Sequence, residues 1–70
     1  MKKRERDSEG FFNRVREMRE SRSMSQRELS RLTGLSQPFL SLLETGKSGG
    51  SLDTWKLLSV AFGVKIDDLL

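Results

Sequence analysis

Apolar positions recur at helical spacing in five stretches of the chain, and nowhere with the strict alternation of a strand. Phe11, Val15, Met18 and Arg22 fall three or four residues apart after Asp7 and Ser8, either of which can cap a helix start, so a first helix is predicted near 9–22. Ser25 stands three residues before Glu28, the spacing of a capping box, and Leu29 and Leu32 mark one apolar stripe that ends at Gly34. A short second helix follows from this. Ser36 can cap a third, because its hydroxyl can accept the amide of Phe39 and Pro38 in the first turn lacks only an amide that would be unpaired there. Leu40 and Leu43 then face inward and Gly46 stops the helix. Lys47 to Gly50 has no periodicity and two adjacent glycines, which predicts a loop before Ser51 caps a fourth helix. Its stripe is Leu52, Trp55, Leu58 and Phe62, closed by Gly63. Val64 and Ile66 precede Asp67 and Asp68, acids suited to the positive end of a last short helix bearing Leu69 and Leu70. The expected fold class is all-α, with five helices.

Only Gly34, Leu35 and Ser36 separate the second and third helices. Three residues opening on glycine do not lay two helices antiparallel; they force a steep crossing that leaves the outer face of the second of them projecting, a helix-turn-helix spacing. A projecting helix fits a DNA major groove about 12 Å wide. Short helices joined by glycine-containing turns also occur in all-helical domains with no nucleic-acid role, so the spacing leaves both readings open.

Charge narrows the choice. Residues 1–31 carry ten Lys or Arg against six acids, whereas residues 32–70 carry three against four. A basic front half on a chain of isoelectric point near 9.8 suits an anionic partner, nucleic acid above all, although a solvated face has the same composition. Seventy residues suffice for one small domain, and 34% hydrophobic with 33% charged residues describes a globular chain rather than a disordered one. The absence of cysteine and histidine excludes a disulfide framework, a thiolate metal cage and the commonest catalytic base. With no Tyr either, an enzyme would depend on Asp, Glu, Lys or Ser in a domain with little room for a cleft, so no enzymatic function is expected. No apolar run approaches the roughly 20 residues of a membrane span, and the basic start Met1 to Arg6 leads into acids rather than a signal core; the cytoplasm is the expected setting.

Two apparent motifs carry no chemistry. Gly46-Lys47-Ser48 has the tail of a phosphate-cradling loop, but that pattern needs glycine at position 41, where Ser41 stands, and a strand before the loop where a helix is predicted. Asp67 and Asp68 are neighbours, and on a helix neighbours point about 100° apart rather than converging on one proton or metal.

The stretch from Met24 to Lys47 resembles the helix-turn-helix of the Xre/Cro family, the family of the phage lambda and 434 repressors. The likeness rests on Ser25-Gln26 with Glu28-Leu29, then Gly34, then Leu40 with Leu43-Glu44 and Gly46, and on Leu69-Leu70 after an acidic pair. It extends from about Phe11 to Leu70. The resemblance implies a compact five-helix domain over 9–70 that binds double-stranded operator DNA as a two-fold homodimer, preceded by a basic arm over 1–8 that is either flexible or extends the first helix. It implies a cytoplasmic, nucleoid-associated transcriptional regulator of bacterial or phage type, a repressor by expectation, with no cofactor, metal, membrane or small-molecule ligand.

Roles carry over position by position. Gln26 matches a glutamine that meets a phosphate and sets register. Gln37 matches the residue at the start of the recognition helix, about 37–45, where a side-chain amide can pair with N6 and N7 of adenine. Pro38, Ser41 and Leu42 occupy the other base-facing positions, and Pro38 and Leu42 can touch a thymine methyl. Ser36 at the helix start and Thr45, Lys47 and Ser48 beyond its end match phosphate contacts. Arg19 and Glu44 match a structural ion pair linking helix one to helix three. Leu57, Val60, Ile66 and Leu70 lie where the family forms its dimer contact.

The departures are specific. The recognition helix has no Lys or Arg, and Leu42 stands where the family has a charged or amide side chain, so it either meets a base or is covered by neighbours or a second subunit. Gly50 replaces a proline before the fourth helix, which loosens the loop carrying Lys47 and Ser48. Two function classes therefore stay open: a DNA-binding regulator, whole or as the DNA-binding part of a larger protein with a C-terminal effector or sensor domain, and a protein-interaction module using Pro38, Phe39 and Leu42 on the same fold, although the resemblance implies that an aromatic at Phe39 packs against the domain itself.

Overall fold

The computed structural model describes residues 13–70. The basic arm, Phe11 and the expected cap at Asp7 or Ser8 lie outside the described residues. Within them run four α-helices, α1 (Val15–Ser21), α2 (Gln26–Thr33), α3 (Gln37–Glu44) and α4 (Leu52–Phe62), then one 3₁₀ turn (Ile66–Asp68), and no strand.

Two boundaries differ from the sequence expectation. A helix near 9–22 would run through Asn13 and Arg14, yet neither is helical, and α1 starts at Val15. The Asn13 side chain accepts the Val15 amide at 3.0 Å and donates to the Leu43 carbonyl at 2.9 Å, so a local side-chain bond and a tertiary one hold the chain out of helix there. The expected fifth helix is a single 3₁₀ turn. Burying Leu69 completely commits its carbonyl to the Arg14 amide at 2.7 Å, closing the chain onto α1. Asp68 still serves this turn, as its carboxylate accepts the Lys65 amide at 3.2 Å.

Serines open the other helices. The hydroxyls of Ser25, Ser36 and Ser51 accept the amides of Glu28, Phe39 and Thr54, and the Ser25 amide donates to the Glu28 carboxylate at 2.8 Å, completing a capping box. Gly34 closes α2 at φ +80°, a left-handed conformation that admits glycine without strain, and so sets the turn that aims α3.

The core is Val15, Leu29, Leu40, Leu43, Trp55, Leu58, Phe62 and Leu69, with Met18, Met24, Leu35, Phe39, Ala61, Val64 and Ile66 packed against it. α2 packs on α3 and α4, and α1 lies across the same two helices. Leu32 and Leu52, read from periodicity as stripe residues, are each 62% exposed. Thr33 and Thr54 are buried in the short helices where those leucines were expected. Each threonine hydroxyl is satisfied locally: Thr33 donates to the Leu29 carbonyl at 2.8 Å and accepts the Leu35 amide, and Thr54 pairs with Ser51. Arg22, at an apolar-stripe position, lays its guanidinium 5.3 Å from the Phe62 ring centroid and donates to the Phe62 carbonyl at 2.9 Å, so its charge ties off the end of α4.

Candidate nucleic-acid interface

One side of α3 packs inward through Phe39, Leu40 and Leu43, and the opposite arc carries Gln37, Pro38, Ser41, Leu42 and Thr45, all exposed. At about 100° per residue these five span less than half the circumference, a single continuous outer face. The four residues expected at bases thus share one surface. Phe39 turns inward against the core, as the resemblance implies for an aromatic at this position, and so is not part of a partner-binding face with Pro38 and Leu42.

Beside this face lies the start of α2. Gln26 borders a shallow groove shared with Gln37, Pro38 and Ser41, so the residue expected at a phosphate and the residue expected at a base line one concavity. The Gln26 side-chain amide donates to Glu44 at 3.1 Å, which fixes its orientation.

Glu44 is the hub beneath. Arg19 grips it with two nearly parallel bonds, Nε to Oε2 at 2.8 Å and Nη2 to Oε1 at 3.0 Å, and uses Nη1 on the Met24 carbonyl at 2.9 Å. The Glu44 side chain is only 3% exposed and that of Arg19 12%. Hydrogen bonding to Glu44 raises the Arg19 pKa above its already high value, against the opposing pull of burial, so the guanidinium stays charged at any physiological pH. This pair joins the end of α3 to α1 while Gln26 joins it to α2. The contact between Gln26 and Glu44 escaped the sequence reading, because no spacing signal links positions eighteen residues apart on different helices.

Beyond α3 the chain turns tightly. The amides of Lys47 and Ser48 both donate to the Leu42 carbonyl, at 2.8 and 3.3 Å, and the Trp55 indole donates to the Gly49 carbonyl at 2.9 Å, anchoring the loop that presents the exposed Lys47 ammonium. Ser48 is half-buried and Ser36 is exposed with its oxygen already engaged as a cap. The Thr45 hydroxyl donates back to the Ser41 and Leu42 carbonyls at 3.0 and 3.2 Å, and must leave them to reach a phosphate. On α2, Arg27 and Arg31 are exposed four residues apart, a second source of positive charge.

A separate surface gathers three of the exposed apolar residues, Leu32, Leu57 and Val60. Leu57, Val60 and Ala61 of α4 form a shallow groove with Leu32 of α2, edged by Asp53 and Lys56; Val60 is 80% exposed. Leu32 was missed by periodicity, which placed it in the core. Of the other expected dimer residues, Leu70 is exposed and Ile66 packs against the core. Among the described residues no cluster of acids could hold a metal ion and no helix is long and apolar enough to cross a membrane.

Comparison with known proteins gives a consistent result. The helix-turn-helix family model matches residues 15–69. The HTH-type transcriptional regulator DdrOP3 from Deinococcus deserti is 35% identical over 57 residues, 81% of this chain; the chain spans only 44% of that regulator's length. Among solved structures, the restriction-modification controller protein C.AhdI from Aeromonas hydrophila superposes with a TM-score of 0.78 at 30% identity, over 81% of this chain and 86% of the other.

Proposed function

This chain belongs to the helix-turn-helix family, and from that premise we propose that it is a sequence-specific, double-stranded-DNA-binding transcriptional regulator of repressor type. The observation that carries the proposal is the outer face of α3. Gln37, Pro38, Ser41 and Leu42 project together and are exposed, on a helix whose far side is fixed in the core. Gln37 is assigned to adenine N6 and N7, as the exposed side-chain amide nearest the start of the helix. Gln26, Ser36, Lys47 and Ser48 are assigned to phosphates, which position the helix without reading sequence, and Thr45 joins them only if its hydroxyl turns outward. The role of Arg19 and Glu44 is to hold the three helices at a fixed angle. No catalytic step is assigned to any residue, and the working compartment is the one that holds the DNA.

The functional unit in this proposal is a homodimer. Leu32, Leu57 and Val60 form an apolar strip too exposed to suit water, and Asp53 and Lys56 at its edge let two copies related by a two-fold axis pair acid with base in both directions. Such a dimer reads half-sites about 34 Å apart.

The test is a binding selection from random duplex DNA. An enriched palindrome with one-turn half-site spacing supports the regulator and its symmetry together. If six phosphates are neutralised, log affinity falls against log salt with a slope of about −5. Affinity indifferent to salt, or no enrichment, refutes the proposal.

A further inference from the structure

Resting on the assignment of α3 to the major groove, we propose that Leu42 reads the C5-methyl group of a pyrimidine, so that this surface responds to thymine and to 5-methylcytosine by the same contact.

The outer face of α3 divides in two. Gln37, Pro38 and Ser41 border the groove shared with Gln26, and Leu42, one turn beyond Pro38, lies outside that groove. Leu42 is 46% exposed and belongs neither to the core nor to the residues packed against it, whereas its neighbour Leu43 is fully buried. It is therefore an outward side chain, not a half-covered core residue. Its backbone is held firmly, since the Leu42 carbonyl accepts from Lys47 and Ser48 and the helix continues through Glu44.

What Leu42 can recognise follows from what it lacks. The only charged residue of α3 is Glu44, turned inward onto Arg19, so the helix itself places no cation or carboxylate beside Leu42. An isobutyl group pressed on the polar edge of guanine, adenine or unmethylated cytosine leaves a donor or acceptor without a partner. The one apolar feature on a base edge in the major groove is the methyl at pyrimidine C5. Thymine carries it by nature, and methylation of cytosine puts the same group at the same place. Methylation of one cytosine in the site thus becomes a signal that the α3 surface detects without any added hydrogen bond.

The test uses a duplex that the chain enriches from random sequence, remade with deoxyuridine at each thymine in turn and with 5-methylcytosine at each cytosine in turn. At one pyrimidine per half-site, loss of the methyl weakens binding about fourfold, or its gain strengthens binding about fourfold, the ratio that corresponds to one buried methyl. The uridine arm identifies thymine as the source and the methylcytosine arm identifies cytosine. In Leu42→Ala the ratio falls below about twofold, while Leu42→Met, which keeps an apolar end, retains most of it. A ratio undiminished in Leu42→Ala, a ratio abolished in Leu42→Met, or a specifically bound duplex with no methyl-sensitive position overturns the assignment and leaves the regulator proposal standing. Failure to enrich any duplex removes both.

Discussion

Replacing Arg19 by Met tests whether the joint beneath the recognition helix is a buried ion pair in energy as well as in geometry. The substitution keeps an unbranched side chain of similar reach but strips the Glu44 carboxylate of both guanidinium bonds, leaving the Gln26 amide as its one donor among the described residues, and deprives the Met24 carbonyl of its Arg19 donor. Breaking a buried pair from one side costs about 3–5 kcal/mol, because the remaining charge is left uncompensated. At about 0.05–0.15 kcal/mol per residue, the 70-residue chain has about 3.5–10 kcal/mol in all. The loss is thus at least about a third of the whole, and it takes the variant to half unfolding in buffer if the starting stability is at the low end of that range. Trp55 is the single tryptophan and is buried against the Gly49 loop, so its fluorescence reports the transition in urea. With a slope of about 1 kcal/mol per molar, the midpoint falls by about 3 M or more. A sulfate-stabilised series brings a variant that is unfolded in buffer into range.

The companion substitutions sharpen the result. Glu44→Leu together with Arg19→Met removes both charges, and the double variant recovers part of the loss, for a coupling energy of about 2 kcal/mol or more. Recovery stays incomplete because the Gln26 amide and the Met24 carbonyl lose their partners. Arg16→Ala is the control: its pair with Glu20 is 3.4 Å long with side chains 64% and 58% exposed, and its loss costs under about 0.5 kcal/mol. If Arg19→Met is no worse than this control, or if the coupling is below about 0.5 kcal/mol, the pair is solvated and the account of how α3 is held is wrong.

Three further outcomes follow from the same structure. Gln37→Ala lowers affinity for the enriched duplex by about 1–3 kcal/mol and barely changes binding to random DNA, as read by titration; an equal loss on both takes Gln37 out of base readout. Gly34→Ala costs about 1–2 kcal/mol in thermal melts from its φ of +80° alone, since an added Cβ meets nothing within 4 Å; Gly50→Ala at +69° also presses on Leu43 and Thr54 at 3.2 Å and costs more, so the reverse order contradicts the geometry. Val60→Asp places charge on the apolar strip and yields monomers in sedimentation at micromolar concentration, whereas an unchanged association state moves the dimer contact elsewhere.

Much of the site was legible along the chain because its determinants are local. Ser25 with Glu28, Ser36 before Pro38, and Gly34 between them set the ends of α2 and α3 through bonds that reach no farther than four residues, so the outward arc from Gln37 to Leu42 could be read before any packing was known. Periodicity failed where helices are short. In the eight residues of α2, Leu29 and Leu32 define a stripe on paper, but the actual inward direction was chosen by α3 and α4, and it took Thr33 in place of Leu32. The same happened at Leu52, in the first turn of α4.

Sequence alone determined the all-helical class, the turn at Gly34 and the residues offered on α3, since caps, left-handed glycines and apolar spacing act within one or two turns. Tertiary structure alone decided where α1 begins, that Leu69 closes the chain with a 3₁₀ turn, that Gln26 is oriented by Glu44, and that Leu32 joins Leu57 and Val60 on the surface. Each of these joins residues distant along the chain, and such contacts are selected by the collective burial of one core rather than by any local preference of the residues that make them.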